Sequence, residues 1–377
     1  MKAVINASLL VAGTAIGAGL IALPLMAVNL GIGLASIIIL AMIFIAYQAS
    51  MMTLDLNELA GKPDSIVEMS KNLSGRGAFS VTLLSFYLLS ISLLTAYFSG
   101  ITDSVKIFFD IKNDFFVVPF CGLGLCAILC LKPVAFSRLN SILVAILLMA
   151  ITVSLVKIHA FHKITFPKTI CNKSEFFAFL PVIFTSFGVQ NICPYIYNYL
   201  NGDRKKINLA FFIGIAIPAA VYIIWIAFVF ENILSRDLTF FEKLQNHQVS
   251  AGELVKFLCE SSQNSFIDVS FKILSLFAII TSAIGIGLGL MKSIQEMITP
   301  SPRLASAIIC FIPTVIVLIA PNIFISVLSF GGIIATIFVV FTPYYLLYKN
   351  GKCNKYAYTT CLIFGIMVAV SELLQRI

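Results

Sequence analysis

The chain has 377 residues, of which 60 % are hydrophobic and only 11 % charged, with a formal net charge of +8. A soluble domain carries roughly 45–50 % apolar and about 25 % charged residues, so this chain has too little charge to cover a water-facing surface. A soluble enzyme, a nucleic-acid binder and a disordered tail are excluded as readings of the whole, and a polytopic membrane protein remains.

A membrane helix needs about 20 mostly apolar residues. Eleven such runs follow one another: 4–29, 33–55, 79–101, 115–131, 139–158, 176–200, 208–230, 268–291, 304–320, 323–348 and 356–374. Polar punctuation separates them at Gly61-Lys62-Pro63, Asn201-Gly202-Asp203, Thr299-Pro300-Ser301-Pro302 and Lys349-Asn350-Gly351-Lys352. Long alternating strands are missing, so an all-α membrane protein is expected and not a β-barrel. The first run passes straight into another span, so no cleaved signal is expected.

Orientation follows from the placement of Lys and Arg. With the amino terminus inside, 14 of the 25 basic residues fall on the cytoplasmic side. The short loops Arg204-Lys205-Lys206 and Lys349 to Lys355 carry that bias. The expectation is amino terminus in, carboxyl terminus out.

Loop lengths carry a second pattern. The links after spans two and seven are long, near 56–78 and 231–267, and those after spans one, four, six and nine are short. Spans one to five and six to ten thus share one rhythm, as in inverted-repeat transporters. The whole chain is expected to be one transmembrane transporter domain: repeat one over about 4–158, repeat two over about 176–348, and an extra helix over about 356–374.

Span one contains Gly13-Thr14-Ala15-Ile16-Gly17-Ala18-Gly19. Three glycines within seven residues are costly in a regular helix and let the backbone unwind. Unwound backbone survives in a membrane only where it lines a cavity, and the freed amides of a half-helix attract a carboxylate. A packing face of Gly13 with Gly17 is the equal alternative at this point. Span six holds the matching cluster, Thr185-Ser186-Phe187-Gly188-Val189-Gln190-Asn191-Ile192-Cys193-Pro194. Pro194 removes a backbone donor, and two amide side chains in hydrocarbon require partners or water. Two interrupted spans at corresponding places point to a midplane substrate site.

These residues resemble a known family. Gly13 to Gly19 with Leu20-Ile21-Ala22-Leu23-Pro24, the Thr185-Ser186-Phe187-Gly188 run, Ala96-Tyr97-Phe98-Ser99-Gly100 and Thr281-Ser282 are similar to signatures of the bacterial hydroxy/aromatic amino acid permeases, a family of the amino acid–polyamine–organocation superfamily, and within it to the tyrosine-specific members. The resemblance spans nearly the whole chain. It implies a LeuT-type inverted repeat of five plus five helices with helices 1 and 6 broken, and ion-coupled import of an aromatic amino acid, tyrosine foremost. It also implies a sodium site between spans one and eight, for which Thr281 and Ser282 with backbone carbonyls are the candidates; back-bonding of these hydroxyls to their own helix is the even alternative. The family commonly carries His two residues after the span-six glycine, where this chain has Gln190. Gln does not titrate near neutrality, so that position cannot carry a proton.

The expected roles follow. Gly13, Thr14, Ala15, Ile16, Gly17, Ala18 and Gly19 bind the substrate carboxylate through backbone amides. Ser186, Phe187, Gly188, Gln190 and Asn191 complete the site: Ser186 to Gly188 and Asn191 meet the ammonium, and Phe187 and Tyr97 contact or cover the ring. All three histidines, His159, His162 and His247, fall in links, and no Asp or Glu lies deep in an assigned span. A carboxylate near a helix end, such as Asp55, is the remaining candidate for a proton. Proton coupling is expected ahead of sodium. No cofactor, no metal centre, no catalytic residue, no nucleic acid and no obligate protein partner are expected; the lipid bilayer of the bacterial inner membrane is the surroundings. The nine cysteines form no CxxC pair and sit mostly in apolar runs, as small hydrophobes do. A permease for tryptophan or a small neutral amino acid, and a membrane sensor that binds without transport, are the alternatives.

Overall fold

The computed structural model describes residues 1–17, 19–61, 65–111, 113–130, 173–260 and 265–375. The fifth expected span, 139–158, lies outside the described residues, as do Ala18, Lys62, Cys171, His159 and His162. Every regular element among the described residues is a helix. The first half comprises α1 (Lys2–Ala15), α2 (Gly19–Ala27), α3 (Gly31–Ala60), α4 (Ile66–Ser74), α5 (Arg76–Phe109) and α6 (Asp114–Leu129). The second begins with α7 (Lys173–Ser186), a 3₁₀ turn at Gln190–Ile192, α8 (Cys193–Tyr199), α9 (Arg204–Leu234), α10 (Leu238–Gln245) and α11 (Ala251–Glu260). It continues through α12 (Ser265–Met297), α13 (Pro302–Ile319), α14 (Phe324–Ala335), a π turn at Thr336–Phe341, α15 (Thr342–Lys349) and α16 (Lys355–Gln375).

Among the described residues, seven spans are individually long and apolar enough to cross a bilayer, and the pair α1–α2, bent by 55°, makes an eighth. Shorter apolar helices at Phe115–Leu129 and Tyr358–Ser371 fill the fourth and eleventh places, so every expected span except the fifth is seen. The links supply their own start and stop signals. Ser65 accepts from the Glu68 amide at 3.2 Å and starts α4. Asp203 caps α9 through the Lys206 amide at 3.2 Å. Asp237 caps α10 through Thr239 and Phe240 at 2.9 and 3.0 Å. The Thr239 hydroxyl and these amides hold the Asp237 carboxyl below the usual carboxylate range. Gly61 ends α3 at φ 70°, a left-handed conformation that costs glycine little.

Large apolar side chains such as Phe115, Phe120, Leu123, Phe311 and Ile319 stay exposed on the outer faces of α6 and α13, where lipid replaces water. Inside, small residues let backbones touch. A Cβ on Gly214 of α9 would lie 2.5 Å from Val11 of α1, and one on Gly332 of α14 would lie 2.2 Å from the Pro181 carbonyl of α7. These contacts bring the seventh span (α9) against the first (α1) and the tenth (α14) against the sixth (α7). All nine residues of α2 are buried.

Two charged features differ from the expectation drawn from hydropathy. The third span, α5, runs on to Phe109, beyond the expected edge at 101, and carries Asp103 into the interior at 9 % exposure. Hydropathy ends a span where charge appears, whereas the helix continues because Lys106 one turn on faces Asp103 at 3.9 Å. Asp55 is the second. Arg204 binds Asp55 at 2.6 Å and Glu58 at 3.0 Å, and the Tyr358 hydroxyl donates to the other Asp55 oxygen. One carboxylate thus fastens α3, α9 and α16. The groups are a quarter to a half exposed, which discounts the pair. Asp55→Asn is expected to lower stability by about 1 kcal/mol, and Glu58→Gln by less, because Glu58 lacks the Tyr358 bond. Thermal melts of the two purified variants in one detergent check that order.

Candidate functional site

The first span breaks where its glycines lie. Ile16 leaves the helix at ψ 103°, its amide still bonded to the Ala12 carbonyl at 2.9 Å, and the chain turns into α2 at Gly19. The last carbonyls of α1 and the first amides of α2 therefore lose their helical partners in mid-span. The sixth span stops at Ser186. The Gly188 amide folds back to Thr185 at 3.1 Å and the Val189 amide to Phe187 at 2.9 Å before the 3₁₀ turn begins. Pro194 sits in the first turn of α8, where its missing N–H costs nothing, so it starts the second segment instead of kinking the first.

Tyr222, midway along α9, joins the two breaks. Its hydroxyl donates to the Ala15 carbonyl at 2.7 Å, with the Ser186 carbonyl a longer second acceptor at 3.3 Å. The ring stands edge-on against Phe187, centroids 5.5 Å apart at 79°. Trp225, one turn on, donates to the Leu20 carbonyl of α2. Gly19 meets Tyr222 so closely that a Cβ there would lie 2.6 Å from the hydroxyl and 2.9 Å from Ser186 Oγ. Gly17 does the same on the other flank: its Cβ would lie 2.0 Å from Ser282 Oγ of α12.

Between the breaks lies a cavity of about 740 Å³. It opens on the side where the chain begins, since Asn6, Leu9 and Leu10 of α1 and Tyr195 of α8 line it, whereas α2 contributes Gly19 alone. Of the residues expected from sequence, Gly13, Thr14, Ala15, Gly19, Tyr97, Ser186, Gly188, Gln190, Asn191, Thr281 and Ser282 all line it. Ile16, Gly17 and Phe187 do not: Ile16 is fully buried, Gly17 abuts Ser282, and Phe187, 1 % exposed, supports Tyr222. Ala18 lies outside the described residues.

Among the described residues, no Asp, Glu, Lys, Arg or His lines the cavity. Its Ser and Thr hydroxyls are bonded to their own helices: Thr14 to Leu10 at 2.8 Å, Thr185 to Pro181 at 2.6 Å, Ser186 to Val182 at 2.8 Å, Thr281 to Phe277 at 2.9 Å and Ser282 to Ala278 at 3.1 Å. Each of these five hydroxyls thus offers only lone pairs. For a cation between the Gly17 segment and α12, that means two neutral oxygens, from Thr281 and Ser282, and no carboxylate.

An apolar flank completes the wall: Leu89 and Leu93 of α5, Phe184 of α7, Leu328 and Ala335 of α14, and Val339 in the π turn. Sequence reading missed these, because an apolar residue facing a cavity looks like one facing lipid. The π turn itself had a signal in Pro343, which cannot donate to the preceding turn. Tyr222 and Trp225 had one as well: each polar tip must find a partner when buried in an apolar span.

A family model described as the tryptophan/tyrosine permease family matches residues 1–371. Glutamine transporter 2 of Aliivibrio fischeri is 22 % identical over 98 % of both chains. Tyrosine-specific transport system 1 of Haemophilus influenzae is 25 % identical over 94 % of this chain and 90 % of its own. Among solved structures, MhsT in complex with L-phenylalanine superposes with a TM-score of 0.62 at 15 % identity, covering 99 % of this chain and 98 % of that one. A likeness at that identity shows the fold, the LeuT-type arrangement with broken helices 1 and 6.

Tyr222→Phe removes the bond between the breaks and is expected to lower stability by about 1 kcal/mol. Gly19→Ala is expected to lower it further, because its Cβ must displace both Tyr222 and Ser186. Thermal melts in detergent measure both, and equal melting of the variants and the parent would show the two contacts to be idle.

Proposed function

The chain belongs to the tryptophan/tyrosine permease family, and on that premise we propose that it imports an aromatic amino acid, tyrosine foremost, across the bacterial inner membrane by ion-coupled symport. The observation that carries the reading is an uncharged cavity flanked by half-helix ends of opposite polarity. A zwitterion needs one centre of each sign. The first amides of α2, headed by Gly19, carry partial positive charge and suit the carboxylate. The end of α7 at Ser186, Gly188 and the exposed Asn191 suit the ammonium, joined by the last carbonyls of α1 at Gly13 and Thr14. The apolar flank of Leu93, Phe184, Leu328 and Val339 then receives the ring, with Tyr97 above it.

A cavity of about 740 Å³ lies within the ~300–1,000 Å³ of small-molecule sites. Without a lining Lys or Arg it has no partner for a second carboxylate, and without a lining Asp or Glu none for a second ammonium. Neutral side chains are thereby preferred over glutamate or lysine. With the amino terminus cytoplasmic and the carboxyl terminus periplasmic, the open side of the cavity faces the cytoplasm and α2 closes the other side. That arrangement is the substrate-release state of alternating access.

The family resemblance favours the proton as driving ion. The cavity favours the alternative, because no carboxylate or histidine lines it among the described residues, and Asp55 is held by Arg204 and Tyr358. Sodium at Thr281 and Ser282 needs no titratable group. Purified protein in liposomes, given labelled tyrosine under separately imposed gradients, distinguishes the two. Uptake that persists with choline in place of sodium supports the proton. Uptake lost in choline and in Ser282→Ala supports sodium. Gly19→Leu is expected to abolish uptake while the protein still inserts in the membrane. Efficient glutamate transport, or ligand binding without any uptake, would overturn the reading.

A further inference from the structure

One polar side chain in the cavity stands apart from the others. Gln190 begins the 3₁₀ turn of the sixth span, is 3 % exposed, and lines the cavity. Its carboxamide makes no hydrogen bond to any described residue, while the lining Ser and Thr hydroxyls donate to carbonyls of their own helices. Asn191, next to it, is exposed at the mouth of the cavity, whereas Gln190 is enclosed.

A buried amide in a low-dielectric wall requires a partner. In the open cavity water can serve. A substrate that fills the cavity expels that water, so the amide must then be met by the substrate itself. The substrate's two charged ends already have the half-helix termini, whose dipoles match full charges better than a neutral amide does. The group left for Gln190 is a neutral hydrogen-bonding group on the substrate side chain. A bare phenyl ring would strand the amide, and sites built this way reject the analogue lacking the polar group far more strongly than apolar pockets reject a misfit.

We propose that Gln190 is the specificity-determining residue of this permease, its carboxamide hydrogen-bonding a neutral polar group on the substrate side chain, the phenol hydroxyl of tyrosine in the first instance. The inference rests on the transport reading above and adds the chemistry of selection to it. It sets tyrosine against phenylalanine, two rings of nearly equal size.

The test is competition for labelled tyrosine uptake in proteoliposomes by tyrosine, phenylalanine and glutamine, in the parent, Gln190→Met and Gln190→His. Met matches the length of Gln without its polar atoms; His restores a donor and an acceptor. The parent is expected to prefer tyrosine over phenylalanine by at least about tenfold. In Gln190→Met the preference is expected to fall below about threefold, through weaker tyrosine and unweakened phenylalanine, and in Gln190→His to recover. A merely structural role would weaken both competitors together. An unchanged ratio, or parallel loss of both, would overturn the proposal while leaving aromatic transport standing. Should labelled tyrosine not be taken up, labelled glutamine replaces it. Glutamine uptake lost in Gln190→Met would then retire the tyrosine reading and keep the role of Gln190, and failure of both amino acids would sink the two together.

Discussion

A backbone inside hydrocarbon must satisfy its own polar groups, and this protein interrupts that rule twice in mid-membrane. The ends of α1, α2, α7 and the turn before α8 expose carbonyls and amides that no helix ladder covers. The rest of the structure answers that exposure. Tyr222 caps the Ala15 and Ser186 carbonyls, Trp225 reaches the Leu20 carbonyl, and Ser282 closes against Gly17. What remains uncovered faces the cavity. The structural cost of breaking two helices and the capacity to bind a zwitterion are therefore one feature.

The same economy accounts for the neutral lining. Helix ends supply partial charges fixed in direction, with no ionised side chain to desolvate. An Arg or Glu at these places would have to be dehydrated whenever the cavity emptied or closed. Hydroxyls bonded to their own helices, and apolar side chains from α5 and α14, add shape without adding charge. Gln190 is the exception, an enclosed amide with no hydrogen-bond partner among the described residues. Asp55, Glu58, Arg204 and Tyr358 join three helices near the mouth-side surface.

Much of this was legible in the chain. Hydropathy marked, in order, the ten expected spans that fall among the described residues, and glycine or amide clusters at Gly13 to Gly19 and Gly188 to Asn191 marked both breaks. Eleven of the candidate site residues line the cavity. Their neighbours were less legible. Leu93, Phe184 and Val339 are apolar residues in apolar spans, and composition cannot say which of them faces a cavity. Phe187 was expected at the ring and instead braces Tyr222, because its direction depends on how the chain turns after Ser186. Asp103 was overlooked because hydropathy stops at the first charge, while the helix does not.

Two glycine-rich stretches show where sequence stops deciding. Gly13, Gly17 and Gly19 lie in a broken span; Gly285, Gly287 and Gly289 lie in α12, which runs unbroken from Ser265 to Met297. Glycine weakens both helices by similar amounts. The difference is in the surroundings. At the first, a tyrosine hydroxyl waits for the freed carbonyl and a serine fills the space beside the turn. At the second, Gly287 receives the Leu129 side chain and the helix keeps its ladder. The chain by itself determined a helical membrane protein with two weak points, because apolar length and glycine content are local properties. Only the tertiary structure decided which weak points open and which side chains turn toward the cavity, because those outcomes depend on partners far away in the chain.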